Sequence, residues 1–411
     1  MHIGICGPIA TQDVAHLLDQ PQAALPRGYA GAPLLGTLIS ELLRRGHQVS
    51  AFTLSSDMAL RAESTVLARG PSFSLYCCPM RPRAWPFNGR LPGRIIDLYA
   101  FERRCLQQAI AVAQPDVIHA HWAYEFAWAA LRSGLPHVVT CHDSPFVIAR
   151  FQRNFRRGGY RWLRAFMAWH VLRHARHVTT VSPYMMGQIQ PLCRADVTVS
   201  VVPNPIIASA FTQPNRRQAG AAKVLMVANG WDVRKNGQSA LRAFSLFSAQ
   251  RPDAELHAYG HDHGSGEAAE KWWREAGLKG KVYFHGPVPH SQILAAMAET
   301  NVFVHAALEE SFGAVIAEAM AAGAPVIGGK NSGAVPWVVG DGGILVDVTQ
   351  PEEIANAISK LLGDSLFASN LTRAGATRVR NHFSAEEVTT AYEQLLFAAI
   401  SSESGLKGVV A

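Results

Sequence analysis

Leu35, Leu38, Ile39 and Leu42 recur at the three- and four-residue spacing of one helical face, and Gly46 follows where that face ends. The apolar run HIGICG precedes this segment and QVSAFTL follows it, so the opening of the chain reads as a βαβ unit. DVIHAHW, HVVTCH, HVTTVS and VTVSVVPN read as further strands, with helical stretches between them. The pattern then starts again at KVLMVANG, passes through the helix GQSALRAFSLFSAQ and continues with AELHAYG, VYFHG, VFVHAA, APVIGG and GILVD. Short apolar strands alternating with helices predict a parallel sheet covered on both faces, once in each half. VVPNPIIASAFTQPNRRQAGAAK, with prolines at 203, 205 and 214, is the predicted connection. The expected fold class is therefore α/β: two doubly wound, Rossmann-like parallel-sheet domains facing across a cleft. The first spans 1–205, a linker 206–222 and the second 223–385, with a C-terminal helix 386–411 packing back on the first.

A length of 411 residues is too great for one compact core, and 48% hydrophobic with 17% charged residues describes a folded globular chain. Six cysteines at 6, 77, 78, 105, 141 and 193 form no C-x-x-C pair, which favours buried thiols in a reducing compartment over disulfides or zinc. MHIGICGPIA has no basic region ahead of a long apolar core, so it reads as a first strand rather than an export signal and points to the cytoplasm. No apolar run reaches the length of a bilayer span. The charge is uneven. Residues 1–205 hold 21 Arg, no Lys and 11 acids; subtraction from the totals of 38 and 31 leaves 17 basic and 20 acidic residues in the remainder. A basic first half thus precedes a mildly acidic second half.

Ligands of doubly wound sheets sit beyond the carboxyl ends of the strands, which directs attention to strand-to-helix loops. EESFGAVIAEAMAAGAPVI, residues 309–327, is such a loop and helix, with carboxylates at Glu310 and Glu318. Unpaired amides and the macrodipole make a helix start a seat for phosphate. Gly313 lets the backbone come close to an anion, and Ser311 can cap the helix or donate its hydroxyl. Eight helical residues rise about 12 Å, which lets Glu310 hold sugar hydroxyls while Glu318 holds those of a ribose. On spacing alone, a solvated Glu310 and an ion-paired Glu318 serve equally well.

The stretch ESFGAVIAEAMAAGAPV resembles the E-x7-E signature of retaining GT-B glycosyltransferases of family 4, and PDVIHAHW, TCHD, VVPNP, RKNGQSALRAF, VYFHGPVP, SGAVPWVVGDGGILVD and FSAEEVTTAYEQL follow in the family's order. The resemblance implies a GT-B fold and catalytic roles for His142, Lys235 and Glu310. Lys235 would neutralise the donor diphosphate, and His142 would stand close to the donor sugar or serve as a buried structural residue. Donor-binding roles fall on Gly31, Asn229, Arg234, Lys235, Ser311, Phe312, Gly313, Ala314, Val315 and Glu318. No metal and no tightly bound cofactor are implied; the donor is a nucleotide diphosphate-sugar, UDP- or GDP-linked. Two departures stand out. Asn229 or Gly230 occupies the place of a family arginine, and Trp337 follows Pro336 where a carboxylate is common. His119 and His121 lie on one face of a strand without the further ligands a metal needs, so packing or acceptor contact is expected of them.

Eight arginines and no acid occur in ARFQRNFRRGGYRWLRAFMAWHVLRHARH, interleaved with aromatic residues. Such a segment, roughly residues 150–177, can lie on an anionic membrane surface without crossing it, or be a solvated structural helix. No nucleic-acid-binding module is present. The expected protein is a retaining hexosyltransferase acting on a glycan hydroxyl, the acceptor lipid-linked, in cell-surface polysaccharide synthesis at the inner face of the membrane. A nucleotide-sugar epimerase and a non-catalytic sugar-nucleotide-binding subunit are the alternatives. A dinucleotide oxidoreductase and a P-loop NTPase are disfavoured, since neither G-x-G-x-x-G after a first strand nor G-x-x-x-x-G-K-[ST] occurs.

Overall fold

The computed structural model describes residues 1–151, 155–211 and 221–409. Most of the linker expected at 206–222, and three residues of the arginine-rich stretch, lie outside the described residues. The chain divides into two compact units, one comprising Met1–Pro205 with Ala385–Ala411, the other Ile206–Ser384.

The first unit holds β1 (His2–Cys6), β2 (Gln48–Ser55), β3 (Val66–Gly70), β4 (Phe73–Pro79), β5 (Val117–His121), β6 (His137–Cys141), β7 (Val178–Thr180) and β8 (Ser200–Val201). They form one sheet in the order β3-β4-β2-β1-β5-β6-β7-β8. The helix Pro33–Arg44 crosses from β1 to β2 as its apolar spacing predicts: Leu35, Leu38, Ile39 and Leu42 are all fully buried. Proline at its first position has a preset φ, and Gly46 at φ 84° turns the chain back towards the sheet.

One edge strand departs from the otherwise parallel sheet. β3 pairs antiparallel with β4, from Val66 opposite Cys77 to Gly70 opposite Phe73. Only Pro71 and Ser72 join the two strands, and Ser72 takes φ 57°. A connection that short permits a hairpin and no crossover.

The second unit holds β9 (Lys223–Val227), β10 (Glu255–Tyr259), β11 (Lys281–Gly286), β12 (Val302–Val304), β13 (Val326–Gly329) and β14 (Gly343–Val346), all parallel, in the order β11-β10-β9-β12-β13-β14. Strand order reverses between β9 and β12 here, and between β1 and β5 in the first unit. Loops leaving the carboxyl ends of these strands are where a doubly wound fold places a ligand.

After the second unit the chain returns to the first as the helix Ala385–Val409, packed on Pro33–Arg44 and on β5 and β6. Val388, Tyr392, Leu396 and Ala399 are buried in that core, and Glu393 binds Arg45 at 2.5 Å and His47 at 2.6 Å. Complete burial of each larger apolar side chain contributes roughly 1.5–3 kcal/mol. All six cysteines are free and buried, and no helix among the described residues is long and apolar enough to cross a membrane.

Candidate active site

β9 and β12 are neighbours at the switch point of the second sheet, and each delivers one charged side chain from its carboxyl-terminal loop. Lys235 follows β9, Glu310 follows β12, and Lys235 Nζ donates to Glu310 Oε1 at 2.6 Å. The two side chains are only 16% and 14% exposed. His305, buried at the end of β12, brings Nε2 to 3.4 Å from the same oxygen. Burial raises the Glu310 carboxyl, yet the His305 hydrogen bond and the Lys235 charge outweigh it and hold the group well below the ordinary carboxylate value. Glu310 is therefore an ionised, sheltered anchor rather than a solvated loop carboxylate.

Backbone contacts fix the loops that carry this pair. Leu308 N–H donates to the Arg234 carbonyl at 2.8 Å, and Ala334 N–H donates to the Glu310 carbonyl at 2.9 Å. Asn236, at φ 49°, donates its side-chain amide to the Ala306 and Val348 carbonyls at 3.0 and 2.9 Å. Asparagine is one of the few residues that tolerate this conformation.

The helix Ala314–Ala321 begins directly after Gly313, which takes φ 90° as the capping residue, and no side chain caps it. The role of cap expected of Ser311 thus falls to Gly313. Glu310 also precedes the helix, so the expected eight-residue helical rise from Glu310 to Glu318 shrinks to the four residues after Ala314. Glu318 pairs with His290 at 3.0 Å. Phe312 is 1% exposed, packed edge-on against Phe383 at 5.3 Å and near Trp337 at 6.3 Å, so only its backbone can meet a ligand. Ala314 and Val315 are half-buried in the first helical turn.

Arg234 does not join the pair. Its Nη1 donates to the Glu309 carbonyl at 3.3 Å and lies 3.7 Å from the Glu309 carboxylate. Asn229 is exposed and accepts a bond from His261 N–H at 3.2 Å, beside Gly230 at φ 100°. Trp337 packs on Phe383 at 5.3 Å and is half-buried.

His142 sits in the first unit, after β6, in a chain of buried rings. Its Nδ1 donates to Asn204 Oδ1 at 3.1 Å, which leaves Nε2 as the acceptor for His121 Nδ1–H at 2.9 Å. His121 Nε2 then carries a bare lone pair, buried without a partner. Trp122 stacks on His142 at 4.1 Å, and His119 lies against His121 at 4.0 Å and Tyr392 at 4.3 Å. Burial pushes His142 and His119 down to about 3 and His121 well below its ordinary value, so all three are neutral near pH 7. Both ring nitrogens of His142 are thus engaged by protein groups. Tyr124 donates to Asp143 at 2.8 Å.

Gly31, exposed at φ 128°, lies on the loop after β1. Gly28 in the same loop is sterically required: a Cβ there would come 2.4 Å from the Ile9 carbonyl. This loop borders a cavity of about 580 Å³, lined among others by Thr11, Gln12, Arg27, Tyr29 and Asp57. Among the described residues no group of three or more His, Cys, Asp or Glu could hold a metal ion.

His305, Asn204, Asn236 and His290 were not singled out by sequence reasoning. His305 had a legible signal, a polar residue ending the apolar strand five positions before Glu310. Asn204 and His290 are joined to their partners only by the fold.

The Glycosyltransferase Family 4 model matches residues 34–209 and the Glycosyl transferases group 1 model residues 210–378, so the two run without a gap from 34 to 378. The lipopolysaccharide core biosynthesis glycosyltransferase LpsE of Rhizobium meliloti is 33% identical over 124 residues, 30% of this chain and 36% of that protein. A glycogen synthase of Mycobacterium tuberculosis is 26% identical over 301 residues, 71% of this chain and 70% of its own length. The D-inositol 3-phosphate glycosyltransferase of Nocardioides is 27% identical over 347 residues, 74% and 72% of the two chains. The match thus spans about a third of the first relative and over two thirds of the others. Sucrose-phosphate synthase from Thermosynechococcus elongatus superposes with a TM-score of 0.72 at 20% identity, over 97% of this chain and 100% of that one. Anabaena HepE, solved in complex with UDP and glucose, gives 0.67 at 18% identity over 97% and 100%. At these identities the structural likeness speaks to fold, which is GT-B. Two family models in unbroken succession, on two sheets each with its switch point, identify this chain as a member of the family-4-type glycosyltransferases.

Proposed function

We propose that this glycosyltransferase moves a hexose, with retention of anomeric configuration, from a nucleotide diphosphate-sugar to a hydroxyl of a glycan acceptor. The observation that carries the reading is the Lys235–Glu310 pair at 2.6 Å, set beside the start of the helix behind Gly313. Cleavage of a sugar–phosphate bond leaves negative charge on the departing diphosphate, and a positioned ammonium with helix-start amides stabilises that charge. A bound pyrophosphate competes with Glu310 for the Lys235 ammonium. Glu310, released and kept ionised by His305, then accepts hydrogen bonds from sugar hydroxyls, while Glu318 takes the ribose hydroxyls.

Ser311, Gly313, Ala314 and Val315 offer backbone groups at the helix start, with the buried Phe312 holding the turn. Asn229 and Gly31 provide small, exposed positions on the other loops, and Arg234 steadies the loop through Glu309. His142 supports the sugar through its carbonyl. Retention follows from attack on the face the diphosphate leaves, with the phosphate oxygen accepting the acceptor's proton.

A UDP-sugar donor is favoured by the fold shared with HepE, whose structure contains UDP and glucose. A lipid-linked glycan acceptor at an anionic cytoplasmic membrane surface, and a role in surface polysaccharide synthesis, draw support from the lipopolysaccharide core relative. The test is donor hydrolysis and transfer across UDP-, GDP- and ADP-sugars, with the anomer of the product read by proton NMR. Turnover of one donor class with retention, lost in Glu310→Gln and Lys235→Ala, is expected; full activity in both variants would place the chemistry elsewhere.

A further inference from the structure

The helix Phe155–His174 turns large aromatic side chains towards solvent at a regular spacing. Trp162, Phe166 and Trp169 are 60%, 47% and 44% exposed, and steps of four and three residues put them on one face. Exposed Arg173 continues the row after another four. The orientation is fixed from behind, because Ala165, Met167, Ala168, Val171 and Leu172 on the other side are buried.

Neighbouring rings widen the row into a patch. Phe146 meets Trp162 edge-on at 6.2 Å, and Phe166 lies 5.9 Å from Trp169. A Cβ on Gly159 would sit 3.6 Å from the Trp85 ring, so Trp85, itself 38% exposed, covers the preceding turn. Single exposed apolar residues are unremarkable on a protein surface, whereas a contiguous group of this kind marks an interaction site.

Charge narrows the choice of partner. No Asp or Glu occurs from residue 144 to 195, and Arg173 and Arg176 stand exposed at the end of the aromatic row. Arg164 is not part of this charged edge. It turns inward, donating to Glu125 at 2.9 Å and lying 3.7 Å over the Tyr124 ring. A tryptophan-rich row edged by cations and free of acid matches the boundary between anionic headgroups and acyl chains.

We propose that this face docks the first unit on an anionic phospholipid bilayer, with Trp162, Phe166 and Trp169 entering the headgroup boundary and Arg173 and Arg176 contacting phosphates. The inference deepens the membrane reading above: it transfers most of the anchoring from arginine charge to inserted rings. Binding is then only moderately weakened by salt, unlike that of a purely polybasic segment.

The experiment is co-sedimentation of the full chain with phosphatidylcholine vesicles, with and without phosphatidylglycerol, together with intrinsic tryptophan fluorescence. Binding to the anionic vesicles with a blue shift is expected. The triple variant Trp162→Ser, Phe166→Ser, Trp169→Ser should bind about tenfold more weakly or worse, and Arg173→Glu with Arg176→Glu should erase the preference for anionic lipid. Absence of vesicle binding, unchanged binding of the triple variant, or a self-association that the triple variant abolishes would overturn the proposal, the last by assigning the face to a second copy. Donor hydrolysis in solution should be unchanged in the triple variant. Failure of hydrolysis in the wild-type chain would instead count against the proposed reaction and leave the docking result to stand alone.

Discussion

Lys235, Glu310 and His305 share one carboxylate oxygen, so the three side chains respond to substitution as a set. Lys235→Ala removes the ammonium and should lower turnover by about a hundredfold or more. Its stability cost should be about 1–3 kcal/mol, less than for a fully buried pair because the partners keep 16% and 14% exposure. Comparing urea unfolding with kcat in the same preparations separates the two effects; equal proportional losses would make the pair structural. The ring chain of His119, His121 and His142 gives a pH signature. Each folded-state value lies below the ordinary 6.5, so the unfolded chain takes up protons that the folded chain refuses. Stability is complete above about pH 6.5 and falls as the pH drops below it, towards about 3 for His119 and His142, by at most about 1.4 kcal/mol per pH unit for each of these two rings. Denaturant midpoints measured between pH 7.5 and 5 check this, and flat midpoints would refute it. Glu310 and Lys235 were legible because their motif is local in sequence. His305 leaves only the trace of a polar residue closing an apolar strand, and it becomes a partner only when the loop folds back.

Individual elements follow their pattern where one side faces water and lose it where packing or a turn decides. The helix Pro33–Arg44 buries its expected stripe of leucine and isoleucine. The hairpin of β3 and β4 is invisible to a search for helix-linked strands, because its direction is set by the two-residue turn at Pro71 and Ser72. Arg164 shows the same limit on a helix, since counting arginines gives charge and not direction, and its inward turn depends on Glu125 from another helix. Trp337 stands where the resemblance to family 4 leads one to expect a carboxylate, yet it is one member of a three-ring cluster with Phe312 and Phe383. Placing a carboxylate there as Trp337→Glu should therefore cost about 2–4 kcal/mol, read from the shift in urea midpoint; an unchanged midpoint would show the cluster to be dispensable. Gly313→Ala places a Cβ on a residue at φ 90° and should cost about 1–2 kcal/mol while weakening donor affinity in calorimetry.

At the scale of the whole molecule, the repeated βαβ pattern announces two doubly wound units, but apolar periodicity alone says little about which unit a terminal helix joins. Val388, Tyr392, Leu396 and Ala399 pack in the core of the first unit, and the contacts of Glu393 to Arg45 and His47 tie the same helix to it. Tyr392→Ala should destabilise that unit by about 3–5 kcal/mol and leave the unfolding of the second unchanged, which hydrogen exchange resolved by unit can test. The second unit begins and ends at one place: Ile206 N–H donates to the Phe383 carbonyl at 2.7 Å, and Ile206 pairs with Ser384. It is thus an insertion within the first. A ribosome makes the amino-terminal unit first, yet that unit waits for residues synthesised after the whole insertion before its core is covered. A stop placed directly after residue 384 should therefore leave the inserted unit whole and the amino-terminal sheet without the helix that covers it.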